Sequence, residues 1–426
     1  MNKLVRSELL NEEYRFIKHK SGLDIYIFPK ALSTSYAVIA TKFGSIDNCF
    51  KLKGEEEFTK VPDGIAHFLE HKMFENEDGE DTFVKFSRTG ADGNAFTSFK
   101  DTAYLFSCTE NLYESLEILL KSTFSPYFTE ENVKKEQGII AQEIKMGEDD
   151  PSDALFQGIL SALYEKSSLR IDIAGSVDSI MKITPELLYK CHSAFYNPSN
   201  MILCVSGQAD ENEVMRVVDK ILSESTPKEV ESFYEKEPKA VFKKKTLKKM
   251  AVSKPLFCIG IKDTEISEDA EERMKKNAAI QLISSIYFGR SSDLYNELYK
   301  EGLISPSFSS WSQHNKAFSF FTVSGDSSSP DSVLERFNAY IKRITENSIS
   351  KEDFERCRRA QYSKFVKLFD STEEIANTLV TEFATDGGEI FRFAEILGEI
   401  TPEYTEGVLK QLFNPDFVSM SVILPI

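Results

Sequence analysis

A charged stretch, SESTPKEVESFYEKEPKAVFKKKTLKKM (Ser223–Met250), divides this chain into two halves that follow one plan, and that repetition limits the folds open to it. Each half opens on β-branched and aromatic text, SYAVIATKFGSID in the first and PLFCIGIKDTE in the second. A helix-like segment follows in each case, GIAHFLEHKMFEN and then ERMKKNAAIQLISSIYFGR. Both halves close on an apolar strand, NMILCVSGQ and DFVSMSVILPI. Strands and helices come in runs instead of a strict βαβ alternation, which predicts an α+β protein. The expected architecture is two homologous α/β-sandwich halves, residues 1–222 and 251–426, each a mostly antiparallel sheet packed with helices, joined by the charged linker 223–250. Within that linker the lysine run from Lys243 to Lys249 reads as a solvated strand edge.

Length and composition bound the function. The 426 residues are 41% hydrophobic, enough for a real core. A net charge of −17 argues against nucleic acid, whose binding rests on clustered Lys and Arg. The amino-terminal text MNKLVRSELLNEEYRFIKHK is charged throughout, without the apolar run of a signal peptide, and nothing later has the length of a membrane span. The expectation is a cytoplasmic chain with no membrane partner. Its six cysteines are scattered, with no pair at zinc-site spacing, and read as reduced core residues. Phosphate-loop, dinucleotide and nucleophile-elbow motifs are absent from the sequence.

The chemistry concentrates in His67-Phe68-Leu69-Glu70-His71. On a helix, residues four apart lie one above the other, so His67 and His71 can present imidazoles to one ion, with Glu70 at the edge of the same face. H-x-x-E-H is the inverted form of a zinc-enzyme signature. A catalytic zinc takes three protein ligands and keeps one open position, so a third ligand has to come from elsewhere. TEENVKKEQGIIAQEIKMGEDDP supplies candidates: Glu136 and Glu143 border the apolar stripe Val133, Ile140 and Ile144. Seven residues separate them, about 10 Å along a helix axis, so only one can reach the ion; spacing does not say which. His19, His192 and His314 lie outside any such cluster and read as structural.

These residues resemble the pitrilysin-type (M16) zinc metallopeptidases, a family that includes insulin-degrading enzyme and the mitochondrial processing peptidase. The resemblance runs through GIAHFLEHKMF, GADGNAFTSFKDTAYLFS, VKKEQGIIAQEI, IDIAGSVDSIMKIT and FYNPSNMILCVSG, and in length the chain is similar to the single-half bacterial members. By position it implies that His67, His71 and Glu143 ligate Zn2+, that Glu70 is the general base, and that Glu136 helps order the site. It further implies that Asn94, Ala95 and Phe96 bind substrate as an added strand. The implied activity is zinc-dependent endopeptidase action on short unstructured peptides, in a homodimer or in a heterodimer with a homologous chain. One departure lies in ELYKEGLISPSF, where Tyr299 stands at the family's Arg position and Ser305 or Pro306 at its Tyr. That departure supports an alternative, a non-catalytic peptide-binding or scaffolding subunit whose partner does the chemistry.

Overall fold

The computed structural model describes residues 2–426 and divides into two compact units. The first comprises residues up to Ile144, Asp172–Tyr234 and Val366–Phe391. Its strands are β1 (Asn2–Ser7), β2 (Glu12–Lys18), β3 (Asp24–Pro29), β4 (Ser35–Thr41), β5 (Cys49–Leu52), β6 (Thr59–Lys60), β7 (Asp92–Thr97), β8 (Thr102–Cys108), β9 (Met201–Gly207) and β10 (Val230–Ser232). Seven form a sheet in the order β1-β2-β3-β9-β4-β8-β7, antiparallel except where β3 runs parallel to β9. The centre of that sheet is the most apolar text of the half: every residue of β4 and of β9 is buried. The other three, β10-β5-β6, make a small separate sheet.

Four helices matter to the site: α1 (Ile65–Lys72), α2 (Thr82–Thr89), α3 (Leu112–Phe124) and α4 (Glu130–Glu148). Leu112, Leu116, Leu119 and Leu120 of α3 are all buried, the apolar face that their spacing predicts. Helix α1 packs against β7 and β8, which places the end of the sheet beside the histidines.

The second unit comprises Lys145–Ile171, Glu235–Phe365 and Arg392–Ile426. Strands β11 (Lys245–Met250), β12 (Leu256–Lys262), β13 (Ser309–His314), β14 (Ser319–Asp326) and β15 (Val418–Pro425) form its sheet, ordered β11-β15-β12-β14-β13. The lysine-rich β11 is an edge strand, parallel to β15. The two sheets are mostly antiparallel and packed with helices, as the α+β reading expects.

The compact units do not coincide with the halves 1–222 and 251–426. Helix α5 (Pro151–Leu163), started by an Asp150 cap and a proline in its first turn, belongs to the second unit. It lies on β11, β12 and β15, with Ile159, Leu160 and Leu163 buried and the Tyr164 hydroxyl donating to Ser319 O at 3.1 Å. Reciprocally, the helix Thr372–Asn377 lies on β4 and β9 of the first unit, where Asn377 Nδ2 donates to the Tyr36 hydroxyl at 3.0 Å. Each sheet has an apolar face to cover, and in each unit part of the cover comes from the other half of the sequence. The stretch 223–250 is also structured in part, through β10 and β11.

Candidate metal centre

Helix α1 begins at Gly64, whose backbone is left-handed (φ 90°). A Cβ there would stand 2.3 Å from Ala174 O, and one on Gly175 (φ 76°) would stand 2.4 Å from Asp63 O. Two chain segments cross where neither tolerates a side chain, and the crossing fixes the start of the helix. Gly64→Ala is therefore expected to destabilise the first unit by about 1–3 kcal/mol. A shift of the urea midpoint measures this, and an unchanged midpoint would refute the crossing as a constraint.

Ile65, Ala66, Phe68, Leu69 and Lys72 of α1 are buried, which leaves His67, Glu70 and His71 at the rim of the core. The two imidazole rings are 4.6 Å apart between centroids. Helix α4 brings Glu143 opposite them: His67 Nε2 lies 3.5 Å from Glu143 Oε1, and His71 Nε2 lies 3.5 Å from Glu143 Oε2. Among the described residues, His67, His71 and Glu143 are the group whose donor atoms all fall within 4.8 Å of one another. Tetrahedral zinc with ligand bonds near 2.0–2.1 Å holds its donors about 3.3 Å apart, so this set of two imidazoles and one carboxylate fits such an ion.

Glu136 does a different thing. It is 6% exposed, and its Oε1 lies 3.0 Å from His71 Nδ1, the ring nitrogen turned away from Glu143. A carboxylate on the far nitrogen of an imidazole fixes its tautomer and leaves Nε2 as the donor. Burial works against the His71 imidazolium, but the bond to Glu136 and the charges of Glu143, Glu70 and Glu136 outweigh it, and the pKa sits above the ordinary histidine value. The hydrogen bond from His67, with the charges of both histidines, holds the Glu143 carboxyl below the usual range against the opposing effect of burial.

Glu70 Oε2 accepts a 2.5 Å hydrogen bond from Thr97 Oγ1, at the end of β7. That strand is one of the two edge strands of the seven-stranded sheet. Along it Asn94 is exposed, Ala95 and Phe96 are half-buried, and the Ala95 amide donates to Asn94 Oδ1 at 2.8 Å. Thr97 was not among the residues singled out in the sequence; its signal is the period of two that carries it to the same face of the strand as Ala95.

In the second unit Tyr299 is exposed and stacks on Tyr295, ring centroids 5.7 Å apart. Ser305 and Ser307 both donate their hydroxyls to Asp326 Oδ1. The remaining histidines are held by structural bonds: His19 to Ser21 and Asp219, His192 to Thr123 O, and His314 to Ser319. Burial pushes His192 down to about 4. All six cysteines are free thiols.

By fold the protein falls among α+β proteins, and two histidines and one carboxylate that could hold a metal ion cluster beside an edge strand of its larger sheet. The family model described as Insulinase (Peptidase family M16) matches residues 57–176, and that of the Peptidase M16 inactive domain matches 182–361. The chain is 39% identical to the uncharacterized zinc protease YmfH of Bacillus subtilis (strain 168), over the full length of both. It is 26% identical to the zinc protease PqqE of Helicobacter pylori (strain ATCC 700392 / 26695), covering 84% of this chain and 80% of that one. Among solved structures it superposes on a putative M16-like peptidase from Alicyclobacillus acidocaldarius with a TM-score of 0.94 at 33% identity, covering 99% of this chain and 100% of the other. The chain belongs to peptidase family M16.

Proposed function

We propose that this protein is a zinc-dependent endopeptidase acting on short unstructured peptides, with His67, His71 and Glu143 as the metal ligands and Glu70 as general base. The observation that carries the reading is the meeting of those three donors from α1 and α4 with Glu70 on the same rim. Zinc, when bound, supplies Lewis acidity toward the peptide carbonyl and lowers the pKa of a water. Glu70 takes one proton from the attacking water as its oxygen bonds to the carbonyl carbon, then delivers that proton to the amide nitrogen as the C–N bond breaks. Thr97 holds the Glu70 carboxylate in place through their hydrogen bond. Glu136 keeps His71 oriented. The edge strand β7, with Asn94, Ala95 and Phe96, receives the substrate backbone as one more strand, a mode that reads main chain and so favours unfolded peptides.

The protein is expected to bind one zinc per chain, and Glu143→Gln to lose most of it together with hydrolysis of an unstructured peptide. Metal analysis and a quenched-fluorescence peptide assay, with chelator and with zinc restored, test this. A folded parent that binds no zinc sinks the proposal. No described helix is long and apolar enough to cross a membrane, and the free thiols suit a reducing compartment, so the reading includes a cytoplasmic site of action.

A second reading, a peptide-binding or scaffolding subunit, draws on the second unit. Ser305 or Pro306 falls where the resemblance places a Tyr, the Ser305 hydroxyl is committed to Asp326, and Tyr299 stands in the Arg position. In this reading a homologous partner chain does the chemistry while this chain holds the peptide. Hydrolysis that needs an added homologous chain and is unchanged by Glu70→Gln in this one would favour it.

A further inference from the structure

A fully buried lysine lies next to His71. Lys72 is 0% exposed, the one charged side chain among the buried residues of α1. Burying an ammonium is costly unless it is paired and hydrogen-bonded, and both of its partners point to one task. Nζ is 2.5 Å from Glu75 Oε2, just beyond the helix, and lies 3.5 Å from the main-chain oxygen of Asn132 in the first turns of α4. Asn132 is itself fixed: its amide accepts from Thr129 N at 2.9 Å and donates to Tyr127 O at 3.1 Å. One turn further along α4 stands Glu136, which engages His71 at 3.0 Å. Two consecutive residues of α1, His71 and Lys72, thus grip α4 at points one turn apart. A single contact would let α4 slide or roll against α1, whereas two set its register, and Glu143 lies just under two turns beyond Glu136 on the same rigid rod.

We infer that Lys72 is a positioning residue for the metal centre: it registers α4 against α1 so that Glu143 meets the Nε2 atoms of His67 and His71. The inference rests on the zinc reading above, and its test separates the two.

The measurement is zinc affinity by competition with a chromophoric chelator, together with the visible spectrum of the cobalt-loaded protein. Two variants are compared with the parent: Lys72→Met, which keeps an unbranched stem one atom shorter and without the charge, and Lys72→Met/Glu75→Gln, which also removes the charge left behind. Both are expected to keep the parent's circular dichroism and to bind zinc about 10- to 100-fold more weakly, with a changed cobalt spectrum. A folded variant with the parent's affinity and spectrum overturns the inference. So does a double variant that fails to fold, because Lys72 is then a requirement of the fold and not of the site. A parent that binds no zinc overturns the underlying metal reading and this inference with it.

Discussion

Replacing Glu70 by glutamine is expected to lower peptide hydrolysis by about 10²- to 10⁴-fold, the range that a positioned proton-transfer group contributes. The substitution tests chemistry with little disturbance of structure. A carboxamide has the shape of a carboxylate, and its oxygen still accepts from Thr97 Oγ1, so the tie between α1 and β7 survives. It cannot take a proton from water at neutral pH. Zinc content is expected to match the parent, since Glu70 is outside the cluster of His67, His71 and Glu143. Single-turnover hydrolysis and metal analysis on the same preparation decide the matter. Activity near the parent's level, with zinc intact, would remove Glu70 from the role of base.

The second large effect concerns stability. Asp263, which follows β12, is buried with Lys276: Nζ lies 2.9 Å from Oδ1 and 2.7 Å from Oδ2, and Ser319 Oγ donates to Oδ2 at 2.7 Å. Burial would raise this carboxyl, but the bond from His314, the charge and bond of Lys276 and the Ser319 hydroxyl overcome it and hold the pKa at about 2. Asp263→Asn leaves the Lys276 ammonium buried without its counter-charge, and is expected to destabilise the second unit by about 3–5 kcal/mol at pH 7. The sign of the pH dependence follows from linkage. The folded pKa is depressed, so the stabilising effect is present in full above the ordinary aspartate value and is lost as pH falls from about 4 toward 2. Urea midpoints of parent and variant should therefore converge in acid. A constant gap from pH 7 to pH 3 would contradict the assignment.

Particular residues show what the sequence could and could not reveal. Helical spacing alone put His67 and His71 on one face, because a period of 3.6 is a local property of the backbone. The choice between Glu136 and Glu143 was not local: it depends on how far α4 is shifted along α1, which the contacts of His71 and Lys72 set. Lys72 itself was illegible, since a lysine beside an apolar run reads as solvent-facing until its partners are known. The strand character of β7 was plain from GNAFTS, whereas its place at the end of the sheet is a matter of topology. The destination of α5 was hidden for a similar reason. An apolar stripe says that a helix must be covered, without saying by which part of the chain.

That exchange of helices bears on the order in which the molecule is made. When the ribosome has synthesised the amino-terminal half, α5 is available but the sheet it covers is not, and the seven-stranded sheet lacks residues 366–391. Domains usually fold one after another as they emerge. Here neither unit can close until most of the polypeptide has left the ribosome, so a nascent chain carries open apolar sheet face through much of its synthesis, and a gene split at the linker would yield two products that can mature only together.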